Sequence, residues 1–479
     1  MKTARKLTAS HCLRTTSVLL LTWLLVAPNR AAAQAAGNNA VYSGTTNSSI
    51  VGSSSFIDAS VLPSTATHDV CFRINYALYL LTLSPYNGAG VIDARGINTS
   101  NSSSSSGALT CNYSPWSSSS GQQSFTSFPN AVILLPAGTI GLKSTATPWV
   151  LPDRTRIIGV GSGANDTFVT TLQAGPGVSG PMIEMGGSSG TPVPCPATSN
   201  VCNDVAVEDL RIDGANVAGV IGIQNQYSQE LSYVNRVTFY RVKGTGLQVG
   251  ASGSMGAQNS GPYTNIRFEY PSGVTPAGTT VCAQIIGAPT RGIHGLTCSN
   301  LSTTIPSVAV NVDSPSNSIE DVFITGFGDG IQVGANGSAQ SNTLLNISGA
   351  FGSGNLIHLC AGISCGSSSN VVTDASIIGA TNSSSGGDII RDEVSSTSVS
   401  DAHVGIYVLG EAVSNAGYSR FTTSPNWPNW SVGSASLTVG SSCTAGSLYS
   451  NTSGSSGSND TLYVCLGGSG SGAGWQDIK

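Results

Sequence analysis

Apolar residues in this chain come in short bursts, separated by glycine, serine and asparagine. The run Ile319-Glu-Asp-Val-Phe-Ile-Thr-Gly-Phe-Gly-Asp-Gly-Ile-Gln-Val-Gly334 holds two strand-length bursts around a glycine-rich corner. Its last part, Gly328-Asp-Gly-Ile-Gln-Val-Gly334, nearly repeats Gly244-Thr-Gly-Leu-Gln-Val-Gly250. Bursts of this length bounded by turn residues predict strands. They fall at Val205–Ile212, Tyr233–Val242, Asn265–Phe268, Ile293–Thr297, Ile319–Ile324, Thr343–Ile347, Val371–Ile378 and Val399–Val404. A second set lies between them and carries Gln224, Gln248, Gln284, Asn311, Gln332, His358 and Arg391, with Tyr407 as a last step. The first seven of these are 24, 36, 27, 21, 26 and 33 residues apart. A strand-and-turn repeat of that period means a solenoid or a propeller. No Trp-Asp or kelch signature is present and no helical pattern separates the strands. An all-β, single-stranded parallel β-helix is the architecture predicted.

Upstream, Asp69 caps a helical pattern over Val70–Leu81, with Val70, Ile74, Ala77 and Leu81 on one face. Strands follow at Gly90–Ala94, Ala131–Leu135 and Arg156–Val160, with a serine-rich loop from Asn98 to Ser127. Residues 36–55 read as a loose lead-in and 56–415 as the β-helix. Trp427, Pro428 and Trp430 break the pattern, so 416–433 reads as a linker. Residues 434–479 read as a small disulfide-closed β module, a cap or an accessory unit, with strands at Gly446–Tyr449 and Thr461–Val464.

The chain has 479 residues, of which 9% are charged, and a net charge of −5. No basic stripe is present, which argues against a nucleic-acid partner. Residues 1–35 read as a secretory signal: Lys2, Arg5, Lys6 and Arg14 precede the apolar Ser17–Ala27, and small residues around Ala33 offer a cleavage site. That apolar run is too short to span a bilayer comfortably. A secreted or cell-surface protein without membrane insertion after signal cleavage is expected. Ten cysteines remain beyond Cys12, an even number that reads as disulfides in an exported chain. Spacing suggests neighbours in order: 71–111, 195–202, 282–298, 360–365 and 443–465.

The segments Asp69-Val-Cys-Phe-Arg73, Gly90-Val-Ile-Asp-Ala-Arg95, Leu134-Leu-Pro-Ala-Gly138 and Arg156-Ile-Ile-Gly-Val-Gly161, with the coils after them, resemble the pectin-lyase-like superfamily. The resemblance covers roughly 56–415. It implies a right-handed parallel β-helix in which the 69–81 helix covers the open end of the first coil.

Candidate chemistry follows from strand alternation. With Ile331 and Val333 inward, Gln332 points out, and the same frame aligns Gln224, Gln248, Gln284, Asn311, His358 and Arg391 in one exterior column. Such a column is either a ladder of amides bonded to each other or a groove suited to sugar hydroxyls. Gln248, Gln284, Asn311, Gln332 and Asp313 are the substrate-binding candidates. Asp313 and Glu393 lie three coils apart in this frame, roughly 14 Å, too far for a glycosidase pair. The Asn-Thr-Asp, Asp-Asp and Gly-His-Gly motifs of polygalacturonases are missing; Ile293-His294-Gly295 is the nearest match. Pectate lyases, which the fold resembles, use arginine with calcium-binding acids, and β-elimination needs a base and a cation. Arg391, His358 and Glu393 are therefore the catalytic candidates, and Asp388 and Asp392 the candidate Ca2+ ligands. Asp329 and Asp388, placed just before their strands, read as turn residues bonding their own backbone. The expected function is binding of an extracellular polysaccharide, with lyase action on uronic-acid-containing glycans preferred over hydrolysis. The competing class is a non-catalytic adhesin or tailspike-like glycan binder. Nothing in the pattern sets an oligomeric state.

Overall fold

The computed structural model describes residues 56–62, 69–84, 86, 88–98, 109–119, 121–163, 168–188, 192–196, 200–252, 254, 256–335, 339–350 and 354–359. Beyond these it describes the strand segments 371–377, 390–392, 404–405, 421–422, 430–433, 448–451, 461–466 and 475–478. The expected signal, the lead-in 36–55, Asp388, Glu393, Tyr407 and Cys360, Cys365 and Cys443 lie outside the described residues.

Parallel strands stack coil upon coil into a parallel β-helix solenoid, as expected. The solenoid has three faces. The first begins with Phe56–Asp58, Ala89–Asp93, Asn130–Leu134 and Arg156–Ile158, and the second with Leu109–Cys111, Gly138–Leu142 and Thr170–Ala174. At Ala206–Asp213 the two join: Ala206–Glu208 pair with Arg156–Ile158, while Arg211–Asp213 pair with Thr171–Gln173. From there each eight-residue strand serves both faces through one bend. The bend residues form a column of positive φ: Asp209 (53°), Arg236 (52°), Asn265 (54°), Gly295 (74°), Asp321 (54°) and Asn346 (54°). The left-handed region turns the chain within a single residue, and asparagine, aspartate and glycine tolerate it best.

The third face runs Trp149–Leu151, Gly180–Met185, Val220–Asn225, Thr245–Val249, Val281–Ile286, Val308–Asp313, Asp329–Val333, Ile357–Leu359, Ile390–Asp392 and Phe421–Thr422. Its last strand pairs Thr422 with Arg391. Thr422, not Tyr407, thus follows Arg391 in register, which corrects the expected last step. On the first face the last strand among the described residues is Val404–Gly405, paired with Val372 and Thr373; Val399–His403 of the expected strand lie outside the described residues.

Side chains of the second and third faces meet in the lumen by size. A Cβ on Gly222 would sit 2.5 Å from Phe239 Cδ1, and one on Gly246 would sit 2.8 Å from Phe268 Cδ2. One coil on, the corresponding positions are Cys282 and Cys298, and they form a disulfide. Small residues on one wall thus leave room for rings on the other, and both rings are fully buried. Helix α1 (Val70–Thr82) packs on the strands Ala89–Asp93 and Leu109–Cys111 and buries Val70, Ile74, Ala77, Leu78 and Leu81. Asp69 caps it by accepting from the Phe72 N–H at 2.9 Å and also holds the Asn112 N–H, beside the Cys71–Cys111 disulfide. Cys195–Cys202 is the third pair seen, and Cys465 is also disulfide-bonded.

A separate four-stranded sheet comprises Trp430–Gly433, Leu448–Asn451, Thr461–Cys465 and Trp475–Ile478, the first pair parallel and the others antiparallel. Its first strand falls within the expected linker. Among the described residues no helix is long and apolar enough to cross a membrane.

Candidate functional site

The expected column exists. Register pairs run Gln224–Gln248, Gln248–Gln284, Gln284–Asn311, Asn311–Gln332, Gln332–His358 and His358–Arg391. Neighbouring Ile223, Leu247, Ile331, Val333 and Ile357 are buried, while Gln224, Gln248, Gln284 and Gln332 are half-buried and outward. The amides do not form a mutual ladder. Gln224, Gln248 and Gln284 have no side-chain hydrogen bond among the described residues.

The exteriors of the other two faces differ. Arg236 forks onto Asp209, with its Nη2 at 2.6 Å, and Arg241 reaches Asp213 through Nε at 3.0 Å. Arg267 reaches Glu269 at 2.9 Å, Tyr233 donates to Glu208 at 2.7 Å, and Asn346 donates to Asp321 at 2.7 Å. Arg211 lies 4.0 Å from the centroid of the Tyr240 ring. On the third face Gln332 and Asn311 are bonded to Asp329 and Asp313, while Gln224, Gln248 and Gln284 carry no such pairing among the described residues.

Toward its C-terminal part the column acquires a hub. Asp329 opens its strand, and its carboxylate reaches the next coil instead of its own turn. It accepts from the Asn355 N–H at 2.8 Å, Asn355 Nδ2 at 3.1 Å, Gln332 Nε2 at 2.7 Å and His358 Nδ1 at 3.1 Å. Opposite a carboxylate, Nδ1 carries the proton, and the Nε2 atom on the other side of the ring is buried. Burial pushes the Asp329 carboxyl up, but the bonds from His358, Gln332 and Asn355 outweigh it and hold it below its usual value. The turn reading of Asp329 is thereby corrected.

Asn311 and Asp313 are joined to each other, Asn311 Nδ2 donating to Asp313 at 2.9 Å, and both are buried. Asp313 is thus less open to a ligand than the glutamines. Arg391 and Asp392 lie on the strand Ile390–Asp392, directly beyond His358 and Leu359 in register. Glu393 and Asp388 fall outside the described residues. Calcium needs several oxygen ligands, whereas Asp329 and Asp313 are already engaged. Among the described residues no group of three or more histidine, cysteine or acidic side chains could hold a metal ion.

Glu184 is a member of the column that the sequence frame missed, paired in register with Gln224 on one side and Val150 on the other. Burial pushes its carboxyl up, and it has no hydrogen-bond or ion-pair partner among the described residues. The available signal was alternation alone, since Ile183 and Met185 are inward and Glu184 lies between them.

Fold and site together define a class: a disulfide-bearing parallel β-helix with a polar track along one outer face. No family model and no curated protein sequence matches the chain. Among solved structures it is similar to ORF18 of Geobacillus virus E2 at 11% identity and a TM-score of 0.34, covering 74% of this chain and 61% of that one. It is also similar to the A-modules of two mannuronan C-5 epimerases from Azotobacter vinelandii. For AlgE6 the identity is 11% and the TM-score 0.31, over 74% of this chain and 96% of that one. For AlgE4 they are 13% and 0.26, over 58% and 89%. This chain spans about 61% of the length of ORF18.

Proposed function

We propose that this is an extracellular polysaccharide-binding β-helix whose third face is the binding track. The observation that carries the reading is the row Gln224, Gln248 and Gln284: outward, evenly stepped amides with no side-chain partner among the described residues. Each amide offers a donor and an acceptor, which matches a sugar hydroxyl that both gives and accepts. Steps of about 4.8 Å per coil present them as a line, the geometry a linear polymer can follow. Disulfides fit an oxidising extracellular compartment.

At the His358 end the same reading extends to chemistry, β-elimination from a uronate. His358, with Nδ1 held by Asp329, takes the proton next to the uronate carboxylate through Nε2, which is buried in the free protein and has to be uncovered as the polymer enters. The released electron pair forms the carbon–carbon double bond, and the glycosidic oxygen on the adjacent carbon leaves and gains a proton from solvent. Arg391, next in register, offsets the negative charge that builds on the carboxylate. The test is incubation with a panel of uronic-acid polymers, following the ultraviolet absorbance of unsaturated ends. Binding with cleavage lost in His358→Ala and Arg391→Ala supports the lyase. Binding without product on any polymer supports the adhesin-like binder. Absence of binding to any glycan refutes the track.

A further inference from the structure

The track has two unlike ends. His358, with Arg391 beyond it, occupies one; Glu184 occupies the other, six register steps away, or roughly 29 Å at the usual strand spacing. Between them every outward member of the column is an amide. Beyond Glu184 the next member is Val150, so the polar line stops there.

Glu184 is an unusual group to leave on that line. Its neighbours Ile183 and Met185 are fully buried, and among the described residues nothing bonds its carboxyl. Elsewhere on this solenoid the outward acids Asp209, Asp213, Glu208 and Glu269 are each paired with an arginine or a tyrosine. A half-buried carboxyl without a partner lacks the compensation that burial normally demands. A ligand hydroxyl supplies it, because a carboxylate accepts strong hydrogen bonds from O–H donors. A second carboxylate does not, because like charges at contact distance repel.

We propose that Glu184 is the terminal subsite of the track and selects a neutral, hydroxyl-bearing sugar there while rejecting a uronate. The ligand then has a direction: acidic residues toward His358, neutral residues toward Glu184. This inference rests on the third face being a polysaccharide track. It assigns the ligand to a class, a heteropolymer with acidic and neutral stretches.

The test compares the full chain with Glu184→Gln, a substitution that keeps shape and removes charge. The probes are polygalacturonate and its carboxyl-reduced neutral counterpart, titrated calorimetrically at low and at high salt. Glu184→Gln is expected to bind polygalacturonate at least about threefold more tightly than the wild type at low salt, with the gain shrinking at high salt. Its affinity for the neutral polymer should stay equal or fall. An unchanged affinity for both probes, or an equal change for both, overturns the assignment while leaving the track intact. If the wild-type protein binds neither probe, nor the wider glycan panel, the track itself fails and the subsite with it. Glu184→Ala guards against a silent replacement: it should lose affinity for the neutral polymer, and retention of full affinity also overturns the proposal.

Discussion

Removing the Asp329 carboxylate is the sharpest perturbation this site offers. Four donors converge on it from two coils: the Asn355 backbone N–H, Asn355 Nδ2, Gln332 Nε2 and His358 Nδ1. In Asp329→Ala, Gln332 can turn to water because it is half-exposed. Asn355 is 7% exposed and the His358 side chain 12%, so their donors have little water to turn to. A buried donor left unmade costs about 1–3 kcal/mol. With partial relaxation of the side chains, a loss of about 3 kcal/mol is expected for Asp329→Ala. Asp329→Asn keeps one oxygen for Asn355 but turns an N–H2 toward His358, so it should cost about half as much. It should also move the imidazole proton from Nδ1 to Nε2.

The assay pairs denaturant unfolding with amide exchange at Asn355, because a solenoid can open coil by coil and a single unfolding free energy then misleads. Nitrogen-15 shifts of the His358 ring report the tautomer. The pH sign follows from the carboxyl's position below its ordinary 3.8. Its contribution is complete above that value and is lost as pH falls through the folded-state pKa. Wild type should therefore lose stability relative to Asp329→Asn in strong acid. If Asp329→Ala unfolds within about 0.5 kcal/mol of the wild type, the ordinary range for an unimportant surface site, the hub is not a joint between coils. The account of His358 would then fall with it.

The lumen and the track each give a simpler expectation. In Gly246→Val the new Cβ would lie 2.5 Å from the Cys282 carbonyl oxygen and 2.8 Å from Phe268. The substitution should cost about 3 kcal/mol or more by overpacking, read by thermal or denaturant melting, and a neutral outcome would show that the Gly–Phe fit is not tight. Gln248→Ala combined with Gln284→Ala should weaken glycan affinity by roughly fivefold to a hundredfold, two neutral hydrogen bonds of about 0.5–1.5 kcal/mol each, with melting unchanged. Equal affinity would place the ligand elsewhere.

Much of the coil register was legible because two periods coincide in the sequence. The Gly-x-Gly-x-Gln-Val-Gly corners mark where a strand begins, and the two-residue alternation within it says which side chain faces out. The corners suffice to align Gln248 with Gln332, and the alternation within the strands extends the frame to Gln284 and His358. The bend column was not legible. Asp209, Arg236, Asn265, Gly295, Asp321 and Asn346 share a backbone angle rather than a side-chain type, so the eight-residue strands read as single straight elements. Asp329 was misread for a related reason. A local rule credits aspartate before a strand with bonding its own turn, whereas three of its four donors belong to Asn355 and His358, a full coil away in sequence. Glu184 escaped because the repeat is legible in sequence only from about Val205, although Gly180-Pro-Met-Ile-Glu-Met-Gly186 keeps the first and last glycines of the later corners.

The weakness of any single contact on the track fixes what kind of ligand can use it. Gln224, Gln248 and Gln284 are solvated in the free protein, so a sugar hydroxyl replaces water and each exchange nets only about 0.5–1.5 kcal/mol. One or two such contacts cannot offset the several kcal/mol of lost translational and rotational freedom on binding. A monosaccharide should therefore bind at millimolar strength or weaker. A linked chain bears that loss once and then gains at every coil. Affinity should climb with each added sugar until the oligomer spans Gln224 to His358, five register steps or roughly 24 Å. Beyond that span the gain per sugar should fall, apart from the step contributed at Glu184. Calorimetry with a size-graded oligosaccharide series reads this directly. A plateau already reached by a disaccharide would mean a compact pocket, and the third face would not be a track.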